Sequence, residues 1–190
     1  MNIYYIRTEY PHIGSHSGYR RLGSFMAARG HALCERIVPM VHDRKIIRSV
    51  WFDKTVESFV RRRRAPRAYH SNDFVVEWRA LFDCLCAGTF DILHFLEAEH
   101  GAWFLPRLLK RLLGRRAPRM VMTFHQPTEL LNTYLHDEVL SSLDAVILLS
   151  SEQRRALLGR VTAEKLWFIP HGVDTGYFVP HDAKIRKADA

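Results

Sequence analysis

Apolar residues in this chain follow two patterns that alternate from one end to the other. Short, nearly continuous apolar runs are typical of buried strands, and longer segments with apolar residues every three or four positions are typical of helices. Strands are predicted at Asn2–Ile6, Ala32–Val38, Ile92–Leu96, Met120–Phe124, Ala145–Leu149 and Leu166–Ile169. Strands that alternate with helices favour an α/β fold, in which a parallel sheet carries helices on both faces.

Helices are predicted in the segments between these strands. One begins at Gly18 and is closed by Arg29 and Gly30, because glycine commonly follows the last residue of a helix. Apolar residues at helical spacing normally mark the side that packs on the core. In the two middle helices these residues are Trp51, Phe52, Val56, Phe59 and Val60, and then Val75, Trp78, Phe82 and Leu85, with Ser71, Asn72 and Asp73 as cap candidates.

Three further helices are predicted in the second half of the chain. The first is Trp103–Leu113, with Leu105, Leu108, Leu109 and Leu112 facing inward. The second is Leu130–Leu140. The third begins at a capping box, since Ser150 is followed three residues later by Gln153.

The last predicted strand leads into a turn. Trp167, Phe168 and Ile169 are expected to be buried, and Pro170 ends the strand because proline cannot donate to a sheet ladder. The turn reads H-G-V-D, and the apolar residues Y-F-V-P come shortly after it. A strand that leads into a rigid turn at the edge of a fold is typical of a chain leaving one domain for another. The predicted organisation is one domain at 1–173 and an exit tail or interdomain linker at 174–190.

The formal net charge of +8 comes from two clusters rather than from the whole chain. Neither cluster contains an acidic residue, and the rest of the chain has fewer basic than acidic residues. The clusters consist of Arg61, Arg62, Arg63, Arg64 and Arg67, and of Arg107, Lys110, Arg111, Arg115, Arg116 and Arg119. Such patches suit an anionic membrane surface, a phosphorylated acceptor or a nucleic acid.

Several classes of protein are disfavoured by what the sequence lacks. It has no apolar window of about 18 residues, so no membrane span is predicted, and no signal peptide is recognised. Three cysteines do not form a disulfide framework, which fits a reducing, cytoplasmic setting. G-x-G-x-x-G and P-loop motifs are absent. No metal site is predicted, because His12 and His16 lie in a loop rich in proline and glycine and no second cysteine pair completes a zinc site.

The loop before the first helix is a candidate ligand site. It reads G-S-H-S-G from Gly14 to Gly18, and helix N-terminal amides favour a phosphate. A plain turn explains the same glycines equally well. In parallel sheets ligands lie beyond the carboxyl ends of the strands. That edge should include Pro11–Gly18, Glu97–Gly101, His125–Thr128 and Ser150–Glu152.

Five short motifs, in order along the chain, resemble those of one enzyme family. They are Arg29-Gly30-His31, Asp91-Ile92-Leu93-His94, Thr123-Phe124-His125, Ser150-Ser151-Glu152 and the I-P-H-G-V-D turn that ends at Asp174. Together they resemble the N-terminal, acceptor-side half of the two-domain GT-B glycosyltransferases of family 4, a Rossmann-like domain. Two positions depart from the family pattern, since Leu96 replaces a histidine and His171 replaces an asparagine.

The resemblance implies a function and a set of site residues. The whole enzyme would transfer a sugar, with retention, from a nucleotide-sugar donor to a hydroxyl on a glycan or lipid-linked acceptor. The donor would bind mostly in a C-terminal domain that this sequence does not include, so the chain alone should be inactive. By resemblance His125 lies near the transferred sugar. The donor phosphate is assigned to Gly14, Ser17 and Gly18, and the acceptor to His16, Tyr19, Arg20, Gln126 and Ser150.

The remaining expectations concern partners and location. No cofactor is expected beyond the donor substrate. The arginine clusters suggest an anionic membrane surface, so the enzyme is expected in the cytoplasm or at the inner face of the membrane. The alternative is a basic, non-enzymatic module that binds nucleic acid or other anionic surfaces. Clusters of nearly pure arginine and lysine would give it only nonspecific contact with nucleic acid.

Overall fold

A computed structural model describes residues 1–10, 18–39, 44–97 and 101–170. Within these residues the chain forms a six-stranded parallel sheet, which confirms the predicted α/β fold. The strands are β1 (Asn2–Glu9), β2 (Ala32–Pro39), β3 (Ile92–Phe95), β4 (Arg119–Phe124), β5 (Ala145–Leu148) and β6 (Leu166–Phe168). Their order across the sheet is β2-β1-β3-β4-β5-β6. Most strand bounds match the prediction within a residue or two, although β1 continues three residues further, to Glu9.

The helices of the described residues fill the connections between strands. They are α1 (Gly18–Ala28), α2 (Val50–Arg62), α3 (Ser71–Cys86), α4 (Leu105–Leu113), α5 (Thr128–Tyr134), α6 (Asp137–Leu140) and α7 (Ser151–Leu157), with 3-10 turns at Gly114–Arg116 and Ala163–Lys165. The predicted capping box of α7 is confirmed, with Ser150 as its N-cap residue. The predicted end of the first helix is also confirmed, because Gly30 takes the left-handed backbone angle φ of 80° that glycine tolerates.

One predicted helix is wrong. Leu130–Leu140 is divided into α5 and α6, because Leu135 and His136 take extended backbone angles between them. Leu135 is buried at this break, and its carbonyl oxygen accepts a hydrogen bond of 3.0 Å from Nη2 of Arg160. A contact from a distant part of the chain therefore stabilises the extended backbone at this position.

The helices divide unevenly between the two faces of the sheet. The step from β1 to β2 runs in one direction across the sheet, and the later crossovers run in the other. Because such crossovers are right-handed, α1 lies on one face and the later helices on the opposite face. Side chains agree with this division. Tyr5 packs with Leu22 and Met26 of α1, whereas Tyr4 and Ile6 join the core formed with α3, α4 and α7. These two sides are named the α1 face and the main helical face.

The prediction that the last strand is buried is wrong for most of its residues. Leu166 is buried in the main core, but Trp167, Phe168 and Ile169 are 58%, 52% and 50% exposed. The physical reason is that β6 is an edge strand, so it has a neighbour on one side within the described sheet. In addition, the alternation of side chains places Trp167 opposite Leu166, on the α1 face.

The predicted inward side of α3 is also wrong. Trp78, Phe82 and Leu85 are 39%, 60% and 44% exposed. The buried side carries smaller or polar residues, which are Ser71, Asn72, Asp73, Val76, Glu77, Ala80, Leu81 and Cys84. Three further residues predicted to face inward are exposed, Trp51 and Phe59 of α2 and Leu112 of α4.

The buried side of α3 carries Glu77 because that carboxylate completes the hydrogen bonds of another helix. One oxygen of Glu77 accepts the backbone N–H groups of Trp103 at 2.9 Å and Leu105 at 3.0 Å. The other accepts the N–H of Phe104 at 3.3 Å and the hydroxyl of Tyr69 at 2.6 Å. The N-terminal N–H groups of a helix lack partners within the helix. Glu77 therefore caps the start of α4 from a neighbouring element.

The start of α3 differs from the prediction in one detail. Its N-cap residue is His70, and Asp73 accepts the backbone N–H of His70 at 2.7 Å. Asn72 instead joins the end of β2 to the segment before α2, because its amide donates to the carbonyl of Pro39 at 2.8 Å and accepts from Ile46 at 3.0 Å. Of the three cap candidates, Asp73 completes the cap in the described structure.

Candidate active site

The carboxyl edge of the sheet gathers most of the residues that the sequence proposes as ligand contacts. His125 and Gln126 directly follow β4, and Ser150 lies two residues after β5. The first turn of α1, which begins at Gly18, lies at this edge as well, because α1 runs back to the amino end of β2. There the backbone N–H of Ala32 donates to the carbonyl of Met1 at 3.0 Å.

Gln153 joins the ends of β4 and β5 at this edge. Its buried amide donates to the carbonyl of Gln126 at 2.9 Å and to that of Phe124 at 3.3 Å. Its amide oxygen accepts the N–H of Leu149 at 2.7 Å and that of Ser150 at 3.1 Å. A single side chain on α7 thus positions the backbone on both sides of His125 relative to Ser150. The capping box of the sequence pointed to Gln153, but not to its bonds with the β4 segment.

Glu97 has a similar role between β1 and β3. It follows β3 by two residues, is 4% exposed, and accepts the backbone N–H of Thr8 at 2.7 Å. The backbone N–H of Leu96 donates to the carbonyl of Ile6 at 2.8 Å, which continues the pairing of the two strands. The sequence placed Glu97 at the ligand edge by position alone, and its contact with β1 depends on the strand order.

His94 is a buried core residue of β3. Its Nε2 lies 2.9 Å from the hydroxyl of Thr123, and its ring packs edge-on against Tyr5 at 5.5 Å between centroids. Burial lowers the pKa of the His94 ring to about 4. The ring is therefore neutral near pH 7 and holds β3 against β4 rather than presenting a charge to a ligand.

The predicted site residues differ in how far the structure describes them. His125, Gln126 and Ser150 are partly exposed and lie together at the ends of β4 and β5. Gly18, Tyr19 and Arg20 form the first turn of α1, and the side chains of Tyr19 and Arg20 are outside what the structure describes. Gly14, His16 and Ser17 lie outside the described residues. Their contacts with a donor or an acceptor stay predictions.

A recess beside the end of β2 was missed by the sequence analysis. Its volume is about 530 Å³, and its lining comes from the end of β2, from α2 and from the segment that leads into α3. Lys45 on its wall forms an ion pair with Asp53, which also accepts the hydroxyl of Ser71 at 2.6 Å. The hydrogen bond from Lys45 lowers the pKa of the Asp53 carboxyl below its ordinary value. Exposed Arg61, Arg67 and His70 complete a polar, mostly basic wall.

Residues 1–10, 18–39, 44–97 and 101–170 contain no group of three or more histidine, cysteine, aspartate or glutamate side chains placed to hold a metal ion. Across the same ranges, every helix is too short or too polar to cross a membrane.

Comparison with known proteins identifies the family. No curated protein sequence matches the chain. The sequence profile of the family described as Glycosyltransferase Family 4 matches residues 12–177, which is most of the chain. The match includes the carboxyl-edge segments that carry His125, Gln126 and Ser150. The parallel α/β sheet is the fold expected from the five motifs. This chain therefore belongs to glycosyltransferase family 4.

Proposed function

We propose that this chain is the acceptor-side, N-terminal domain of a retaining hexosyltransferase of the GT-B type. The reaction transfers a sugar from a nucleotide-sugar donor to a hydroxyl group of a glycan or a lipid-linked acceptor. The observation that carries the proposal is the family match across residues 12–177, combined with the constrained carboxyl edge at His125, Gln126 and Ser150. A C-terminal donor-binding domain would complete the enzyme.

His125 has the central role in this proposal. It directly follows β4 and is partly exposed, with its Nδ1 buried, at the edge where ligands bind parallel sheets. A histidine there can donate a hydrogen bond to a sugar hydroxyl or stabilise charge on the departing phosphate. Gln153 holds the carbonyl groups on either side of this residue, which keeps the backbone of the histidine in one place.

The start of α1 is the proposed contact for the donor phosphates. Backbone N–H groups and the positive end of the helix dipole favour an anion, and Gly14, Ser17 and Gly18 belong to this segment of the sequence. His16, Tyr19, Arg20, Gln126 and Ser150 are the proposed acceptor contacts. The basic recess beside β2 lies at the same edge and offers space for an acceptor that carries negative charge. The reaction is proposed to need no cofactor or metal beyond the donor substrate, and to take place in the cytoplasm or at the inner face of a membrane.

The test uses the enzyme that includes its donor-binding domain, supplied with a panel of nucleotide sugars. His125→Ala should lower kcat by about 100-fold or more while the protein stays folded, because a partly exposed side chain contributes little to the core. The matched control is His31→Ala, a partly exposed histidine at the amino edge of the sheet, which should keep normal turnover.

Three outcomes would contradict parts of this proposal. Wild-type turnover in His125→Ala would make the histidine a structural residue. A product whose anomeric configuration is inverted relative to the donor, measured by NMR, would contradict retention. Sugar transfer by the 190-residue chain alone would contradict the assignment of donor binding to a second domain.

A further inference from the structure

The outward surface of α3 and α4 carries large apolar side chains that the fold does not cover. Phe82 is 60% exposed, Leu85 44%, Trp78 39% and Leu112 of α4 54%. The two helices pack side by side on the main helical face, and the four exposed apolar residues that they carry are named here the outer ridge. Scattered exposed apolar residues are ordinary, but several large ones on two helices that pack together indicate an interaction site.

The ridge is supported from below by a series of aromatic contacts. The ring of Trp78 lies 5.3 Å from Phe104, 6.1 Å from Phe74 and 6.4 Å from Phe82, measured between centroids. Phe74 in turn lies 6.1 Å from Phe59 of α2. Rings in edge-on and tilted contact restrain one another. Trp78 is therefore restrained by its neighbouring rings, which lowers the entropy cost of its contact with a partner.

Positive charge surrounds the ridge. Exposed arginines lie within α3 itself, at the end of α4 and in the 3-10 turn that follows, and these are Arg79, Arg111, Arg115 and Arg116. Beyond the Trp78 end of the ridge, Arg63 lies over the ring of Phe59 at 5.9 Å. Arginines from both clusters of the sequence therefore lie near the ridge or near the aromatic series that supports it.

Negative charge on these helices is buried or paired. The segment from Leu105 to Arg116 contains no acidic residue. Among the acids of α3, Asp73 and Glu77 face the core, and Asp83 accepts hydrogen bonds from Arg36 at 2.7 Å and from Tyr4 at 2.6 Å. The surface that faces outward is thus apolar along its middle and basic at its borders.

This combination selects among the partners that could cover the ridge. A second copy of the chain would bring like charges together, which opposes self-association through this surface. A nucleic acid would match the arginines but would leave the aliphatic Leu85 and Leu112 without a function. An anionic lipid surface matches both properties, because arginines reach the headgroups while apolar side chains enter the boundary with the acyl chains.

We propose that the outer ridge is a membrane-binding surface for anionic lipids. The helices α3 and α4 lie in the plane of the membrane, with Trp78, Phe82, Leu85 and Leu112 at the boundary between headgroups and acyl chains. The bordering arginines hold the lipid phosphates. This inference rests on the surface itself and does not depend on the reaction proposed above.

The first test measures flotation of the 190-residue chain with vesicles of phosphatidylcholine and with vesicles that contain about 30% phosphatidylglycerol. Anionic vesicles should bind the chain at least about tenfold more strongly, and added salt should reduce that difference. Phe82→Ser should weaken binding at both low and high salt, because it removes apolar contact. Arg111→Gln combined with Arg115→Gln and Arg116→Gln should weaken binding chiefly at low salt.

The second test locates the inserted residue through tryptophan fluorescence quenched by brominated lipids. Trp78→Phe should lose most of the quenching. The matched control is Trp167→Phe, whose tryptophan is 58% exposed on the edge strand and lies away from the ridge, so quenching should persist. Circular dichroism establishes that each variant is folded before it is compared.

Four results of these tests would overturn the proposal, and a fifth comes from competition with DNA. They are equal binding to neutral and anionic vesicles, wild-type binding by Phe82→Ser, quenching lost in Trp167→Phe instead of Trp78→Phe, and a dimer in solution that Phe82→Ser disperses. The last result would assign the ridge to a second copy of the chain. A DNA duplex that displaces the protein from vesicles and binds Phe82→Ser as tightly as wild type would assign the arginines to nucleic acid and would also overturn it.

Discussion

The two faces of α3 are arranged opposite to what the hydrophobicity of their side chains alone predicts. The inward face is rich in small and polar residues, including the fully buried Glu77, whereas the outward face carries Trp78 and Phe82. Glu77 is buried because it completes the backbone hydrogen bonds of α4. The inward face includes Ala80, which is fully buried, so that α3 meets the sheet through a small side chain. Burial on this helix therefore follows hydrogen bonding and available space rather than the size of the apolar group.

The contrast also extends to protonation. Burial raises the pKa of Glu77 to about 7, although the hydrogen bonds from Tyr69 and the start of α4 oppose that rise. Burial also raises the pKa of Asp73, one turn earlier on the same face, well above its ordinary range. The aromatic outer face of α3 carries no buried carboxyl group of this kind. Substitutions on the two faces should therefore differ both in their cost and in their dependence on pH.

The largest effect is expected from Glu77→Ala. The substitution leaves the N–H groups of Trp103 and Leu105 and the hydroxyl of Tyr69 buried without an acceptor, and each such group costs about 1–3 kcal/mol. We expect the free energy of unfolding, measured by urea denaturation, to fall by about 3 kcal/mol or more. Glu57→Ala is the matched control, because that half-exposed glutamate lies 4.0 Å from Arg61 and its loss should be nearly neutral. Equal costs for the two variants would remove Glu77 as the cap of α4.

The pH dependence of stability gives the next largest effect, through Glu77→Gln. The pKa of Glu77 is raised in the folded protein, so its contribution is fully present below about pH 4.5 and is lost as pH rises through about 7. The stability of wild type relative to Glu77→Gln should therefore fall by about 2–3 kcal/mol across that window. His94 has a pKa lowered to about 4, so its contribution is lost instead as pH falls below about 6.5. Because His94 is present in both wild type and Glu77→Gln, its opposite pH dependence cancels in the difference between their stabilities. A difference between the two proteins that stays constant with pH would contradict this account.

A smaller loss is expected from Gln153→Ala, on the inward side of α7. The truncation removes the bonds to the carbonyls of Phe124 and Gln126 and to the N–H groups of Leu149 and Ser150. Because some of these groups lie near solvent, the cost should be about 1–2 kcal/mol in thermal or urea unfolding. Glu152→Ala, at the exposed position beside it, should change stability by less than about 0.5 kcal/mol. If the two variants unfold alike, Gln153 does not hold the β4 and β5 ends together.

The smallest effect is expected from Phe82→Ser on the outer face of α3. The ring is 60% exposed, so its removal should change the free energy of unfolding by about 0.5 kcal/mol or less. The preceding residue provides the contrast, since Leu81 is 3% exposed and Leu81→Ala should cost about 2–4 kcal/mol. A large loss of stability in Phe82→Ser would mean that the outer ridge is part of the core.

The candidate site could be predicted only in part. His125, Gln126 and Ser150 were found because each lies just after a predicted strand, and strand ends are visible in a local pattern. Gln153 was visible as half of a capping box, yet its bonds to the β4 segment join residues 27 or more positions apart. Glu97 and the recess beside β2 depend on segments that meet only in the folded chain.

The sequence by itself determined the elements, their order and the residues at the carboxyl edge, because strand and helix periodicities and caps are local properties. It also placed the chain in its family through five short motifs. The tertiary structure alone decided the strand order and, through right-handed crossovers, the placement of α1 on one face and the later helices on the other. It decided that β6 is an exposed edge strand and that α3 turns Glu77 inward and Phe82 outward. Periodicity establishes that a helix has distinct sides, but the partners that pack against it determine which side is buried.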